Sequence, residues 1–194
     1  MRIQVLMTML AAGTSVWAAA IPDRSVTVCQ EGGPATWSTA PARAEASKIF
    51  AQIGVRLEWR IATKECPANE DAIAIHMSYD TPKTKLPHAL AYASPYRERN
   101  IEVFYDRIKN EERDRGTPHL LAYVFVHEIA HVVQGVARHS QTGLMKAGWD
   151  ADDFFEMGNG RLHFTDEDVS LLYLGLDWRR TLLAAGNQHP GVIQ

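Results

Sequence analysis

Apolar and polar residues along this chain follow two different periods, and the switches between them outline a fold. The β-branched run Val26-Thr27-Val28 marks Ser25 to Cys29 as a first strand, ended by Gly32-Gly33-Pro34. From Pro41 to Ile53 the residues Ala42, Ala46, Ile49, Phe50 and Ile53 recur at helical spacing, with Pro41 near the start and Gly54 as the stop. Val55, Leu57, Trp59 and Ile61 then alternate with Arg56, Glu58 and Arg60, the period of a strand with one buried face. Ile73, Ile75 and Met77 repeat the alternation and leave His76 on the opposite, solvated phase. Tyr79 to His88, which contains Pro82 and Pro87, reads as a surface loop. Ala89 to Ser94 is a short strand closed by Pro95, and its small residues Ala89, Ala91 and Ala93 suit either a loosely held edge or a strand that pairs with an extended peptide. Asn100 to Ile108 is expected as another strand centred on Val103, Phe104 and Tyr105. Lys109 to Arg115, with no apolar side chain, is expected as a solvated linker.

Beyond that linker the pattern changes. Thr117 serves as a helix N-cap with Pro118 at the first helical position, and His119 to Gln134 is apolar nearly all the way round. A helix apolar on every side is buried, so the polar residues that interrupt it, His127, Glu128 and His131, need a partner there. A cation supplies one. Two histidines four apart share a helix face one turn above each other, so both imidazoles can close on a single zinc ion, with Glu128 beside it. A zinc that keeps one position open for water lowers that water's pKa to about 7, and an adjacent carboxylate can then take and return the proton.

Gly135 is the natural stop of this helix, because it tolerates the left-handed conformation that turns the chain. His139 follows and can complete three protein ligands plus water, the count expected of a catalytic zinc. The alternative third ligand is a downstream carboxylate, Glu156, in the segment Asp150 to Met157. Gly143-Leu144-Met145 makes a tight turn that brings a methionine near the site. His119 and His163 read as surface residues and His88 sits in the proline-rich loop. Further on, Thr165-Asp166-Glu167-Asp168 is a capping-box start for a helix with Val169, Leu172, Tyr173 and Leu176 on its apolar face, and Gly186 to Gln194 is a polar tail.

Composition narrows the setting. With 194 residues and 46% hydrophobic content, the chain suffices for one well-packed domain and is short for two. The formal net charge of −3, without any basic stripe, gives no reason to expect a nucleic-acid partner. Residues 1–20 read as an export signal: Arg2, a mostly apolar run from Ile3 to Val16, and the small residues Ala18-Ala19-Ala20 before the cut. The mature domain is then 21–194, secreted or periplasmic, a monomer, with no stable membrane insertion after cleavage. In an exported protein Cys29 and Cys66 most simply form one disulfide; the alternative is a Cys29 thiolate that caps the zinc and silences a zymogen.

These residues resemble a family. His127-Glu128-Ile129-Ala130-His131, Gly135, His139-Ser140 and Gly143-Leu144-Met145 are similar to the motif of the metzincin clan of zinc endopeptidases, and more closely to a group of small exported bacterial metzincin-like proteins. The resemblance implies an α+β fold in a single metzincin-like domain. Its mixed, mostly parallel sheet would carry an antiparallel edge strand, with a backing helix, a buried active-site helix and a C-terminal helix. It implies Zn2+ held by His127, His131 and His139, Glu128 as general base, Met145 as the Met turn and a protein or peptide substrate. In one respect the chain departs from the clan. The usual spacing would put the glycine and the last histidine at positions held here by Gln134 and Ala137, so the turn to His139 is longer. Two other functions stay open on the residues alone: a degenerate fold that binds a partner, and a hydrolase acting on a non-protein amide.

Overall fold

Five strands form one sheet in the spatial order second, first, third, fifth, fourth in a computed structural model that describes residues 24–31, 39–62, 65–66, 72–94, 99–115 and 119–186. The expected leader, the Gly32-Gly33-Pro34 cluster, Pro95, the Thr117-Pro118 cap and the tail beyond Gly186 lie outside the described residues. The strands are β1 (Arg24–Glu31), β2 (Val55–Ala62), β3 (Ile73–Ser78), β4 (Ala91–Ala93) and β5 (Asn100–Phe104). The first strand thus begins one residue earlier and ends two later than the β-branched run alone suggested. β1 pairs in parallel with both β2 and β3, β3 pairs in parallel with β5, and β4 closes the edge antiparallel to β5. The fold is α+β with a mixed, mostly parallel sheet, as the resemblance implies.

Parallel neighbours need a crossover, and helix α1 (Ala40–Gln52) provides the one between β1 and β2. Its Ala46, Ile49 and Phe50 are buried. Val28, Ile73, Ile75, Ile101 and Val103, all fully buried, form the sheet's contribution to the core, while Arg56, Glu58, Arg60 and His76 on the alternate phase are exposed. His76 pairs there with Glu31, the solvated role its phase predicted.

One expectation fails. The strand expected to reach Ile108 stops at Phe104, and helix α2 (Tyr105–Arg115) replaces both its end and the anticipated linker. Ile108 is buried and anchors the helix to the core, and Lys109 reaches Glu112 at 2.8 Å one turn on. Glutamate, lysine and arginine are good helix formers, so a charged run with one apolar anchor suffices.

Helix α3 (Leu120–Gln134) has His119 at its N-cap and is buried along almost its whole length. It lies across the same face of the sheet as α1, with Trp59 of β2 against Phe125 at 5.6 Å between centroids. Short α4 (Ala151–Gly158) follows, capped by Asp150 in a reciprocal capping box with Asp153. Long α5 (Asp166–Gly186) crosses α3 so closely that a Cβ on Gly175 would sit 2.0 Å from the carbonyl oxygen of Val133. Cys29 and Cys66 are joined in a disulfide with their Cα atoms 5.9 Å apart, which removes Cys29 as a free thiolate.

Candidate metal centre

Helix α3 brings His127 and His131 to one face, and both are buried, at 8% and 6% exposure. Gly135 then takes the left-handed conformation, φ 67°, and its N–H closes the helix on the carbonyl of His131. The chain turns back and presents His139 from an exposed loop position. The Nε2 atom of His131 is 3.0 Å from Nε2 of His127 and 3.2 Å from Nε2 of His139.

Protonation follows from the far side of each ring. Nδ1 of His127 lies 3.0 Å from the carbonyl of Leu144, and Nδ1 of His131 lies 3.2 Å from the carbonyl of Val136. A carbonyl oxygen only accepts, so each Nδ1 carries the proton. Burial, the largest cause, holds both imidazoles well below the ordinary histidine range, so each is neutral. Each Nε2 therefore presents a bare lone pair. Lone pairs that face each other at 3.0 Å repel unless a cation stands between them, and nitrogens around one tetrahedral zinc lie about 3.3 Å apart. Among the described residues, His127, His131 and His139 are the group whose donor atoms can hold a metal, all within 4.8 Å of one another.

Glu128 lies on the same helix beside the cluster and lines a cleft of about 740 Å³ shared with His127, His131 and His139. Burial pushes its carboxyl up to about 7, against a hydrogen bond from the backbone N–H of Ala93 that favours the charged form. Ala93 belongs to the edge strand. Leu90 and Ser94 bond inward to β5, through Phe104 N–H to Leu90 O at 2.9 Å and Ser94 N–H to Asn100 O at 3.2 Å. By the alternation of an antiparallel ladder, the backbone groups of Ala91 and Ala93 face the cleft.

The Met145 turn closes under two links. Ser140 N–H donates to Met145 O at 2.8 Å, and Gly143, at φ 76°, sits so close to His163 O that a Cβ would lie 2.7 Å from it. Met145 is fully buried. Glu156, the alternative ligand, instead pairs with Arg161 at 2.7 Å and stands outside the cluster. Tyr173 gives its hydroxyl to Ile53 O at 2.6 Å, and the Tyr92 ring packs edge-on against Phe104.

The chain matches no family model and no curated relative. Its likeness is structural. The crystal structure of archaemetzincin from Methanopyrus kandleri superposes with a TM-score of 0.52 at 13% identity, covering 80% of this chain and 96% of that one. At that identity the match speaks for the fold alone, an α+β domain of this architecture.

Two residues of the site were not singled out by sequence. Trp149 lines the cleft, donates its indole N–H to Leu144 O at 3.2 Å and faces the His127 ring edge-on. Asp168 was read only as a helix cap, yet its carboxylate is fully buried and bonded to Ser140 next to His139. The only signal for either is proximity in sequence to the Met turn or to a cap, which does not reveal a partner many residues away.

Proposed function

We propose that the chain is an exported zinc-dependent endopeptidase. The observation that carries this reading is the convergence of three imidazole nitrogens, those of His127 and His131 neutral, beside a cleft-facing carboxyl pushed up to about 7. His127, His131 and His139 would hold the metal through Nε2. When bound there, zinc supplies Lewis acidity to a carbonyl and acidifies water.

The chain's own residues do the rest. Leu144 and Val136 carbonyls fix the tautomers that turn both Nε2 atoms inward. Glu128, poised near neutrality, takes the proton of the attacking water and delivers it to the leaving amine. The cleft-facing N–H and carbonyl of Ala91 and the carbonyl of Ala93, whose N–H is held by Glu128, offer an extended peptide a strand to pair with, which favours a peptide over a compact substrate. Likeness in fold to a protein called archaemetzincin and the metzincin-like order of His127 to Met145 point the same way. For export, the support is the leader-like first twenty residues and the Cys29–Cys66 bridge.

Metal analysis and a peptide-library cleavage assay on the wild type and Glu128→Gln test the reading. The wild type should hold one zinc per chain and cleave. Glu128→Gln should keep the zinc and lose about 10²–10⁴-fold in turnover. Unchanged turnover would overturn the role of Glu128.

A further inference from the structure

His127 and His131 ride on a rigid helix, but His139 is presented by a loop lengthened past Gly135, and a ligand on a loop needs an external restraint. The residues on either side of it supply the handles. Arg138 places Nη1 3.2 Å from Oδ1 of Asp168, and Ser140 donates its hydroxyl to that same oxygen. One carboxylate oxygen therefore holds both neighbours of His139.

The other oxygen is anchored elsewhere. Oδ2 of Asp168 accepts the Thr165 N–H at 3.0 Å and the Thr165 hydroxyl at 2.7 Å, while Asp168 N–H returns a bond to that hydroxyl at 3.2 Å, closing the capping box of α5. The Asp168 carbonyl accepts from Nε2 of Gln134, the last residue of α3, at 3.3 Å. A cap alone needs only Thr165 and can sit in water. Asp168 is fully buried, which is costly for a carboxylate unless its acceptor positions are filled, and two partners that fill them flank His139.

We propose that Asp168 is a positioning residue for the third histidine, tying the lengthened turn to the ends of both α3 and α5 so that Nε2 of His139 meets those of the helix histidines. The inference rests on the zinc reading above. Asp168 acts through His139 and does not touch the cluster's nitrogens.

Chelator competition on the zinc-loaded protein tests it, together with the visible spectrum of the cobalt-substituted form. Asp168→Asn should weaken zinc binding about 10–100-fold, the usual effect of losing an outer partner of a ligand. Its cobalt spectrum should also differ from that of the wild type. In a double variant with His139→Ala the aspartate effect should vanish, because there is no longer a ligand to position. A merely structural Asp168 would lower Tm, leave affinity unchanged well below Tm, and add to His139→Ala. Should Asp168→Asn fail to fold, Ser140→Ala decides: several-fold weaker zinc supports the inference, and wild-type affinity overturns it. If the wild type takes up no zinc, both readings fall. If it takes up zinc, and His139→Ala weakens it while Asp168→Asn and Ser140→Ala do not, this inference alone falls.

Discussion

Trp149 and His127 share one acceptor: the carbonyl oxygen of Leu144 takes the imidazole Nδ1–H at 3.0 Å and the indole N–H at 3.2 Å. The two rings stand edge to face with centroids 5.5 Å apart. The indole therefore steadies the atom that orients His127 and also walls the cleft. Trp149→Phe keeps an aromatic ring at the position, though a smaller one, and deletes the N–H. Zinc affinity measured by chelator competition should fall by up to about tenfold, the low end for an outer-sphere partner. An affinity equal to the wild type would show that Leu144 needs no second donor.

Loss of a ligand should be far more severe than loss of a nearby carboxylate. His139→Ala leaves two nitrogens for a metal that takes three in catalytic sites, so zinc should be lost on dialysis. Glu156→Ala removes only an exposed pair with Arg161 and should leave zinc content intact. The reverse pattern, read by metal analysis, would move the site to a carboxylate-ligated class.

In the metal-free protein, acid acts through groups of opposite sense. Glu128 has its folded pKa raised to about 7, so between about 4.5 and 7 the folded state holds a proton the unfolded chain has released, and this contribution to stability is lost as pH rises. His127 and His131 are lowered by burial, so below about 6.5 the unfolded chain takes up two protons that the folded state refuses, and stability is lost as pH falls. Two protons outweigh one. Stability from these groups should therefore decline from pH 6.5 to 4.5, and Glu128→Gln, which deletes the offset, should steepen the decline by about 1.4 kcal/mol per pH unit. Urea unfolding in the presence of a chelator at several pH values measures the slopes. Parallel slopes would show that the Glu128 carboxyl is not shifted.

Gly175 is the point where α5 crosses α3. Alanine is the better helix former by about 1 kcal/mol, but its Cβ would lie 2.0 Å from a backbone oxygen that cannot rotate away. The helices must separate, so Gly175→Ala should cost a net 1–3 kcal/mol, roughly the overpacking range, and lower Tm by several degrees. A Tm at or above that of the wild type would mean that the crossing is looser than described.

Much of the site was readable along the chain because one helix carries it. His127, Glu128 and His131 are related by helical geometry alone, and Gly135 announces the turn that follows. That His139 rather than Glu156 joins them was a matter of order and resemblance, decided only where the loop folds back. The pattern does not reveal α2 because Ile108, the one buried anchor among its described side chains, is too little to set a period amid charges. Asp168 and Trp149 were missed for a different reason. Each makes a local bond, a cap or a short turn, and also a bond whose importance depends on what lies across the site: Ser140 is 28 residues before Asp168, and Leu144 matters to Trp149 only through His127. Periodicity reports which face is buried and is silent on who shares an acceptor.

The hydrogen bond from Ala93 to Glu128 couples the rim of the cleft to its floor. A displacement of β4 would therefore be felt at the Glu128 carboxyl. The loop from Tyr79 to Leu90 delivers the chain into β4, and its last five residues, Leu86 to Leu90, themselves line the cleft, so lengthening or tightening it would reach the Glu128 carboxyl both through the strand and through the cleft wall.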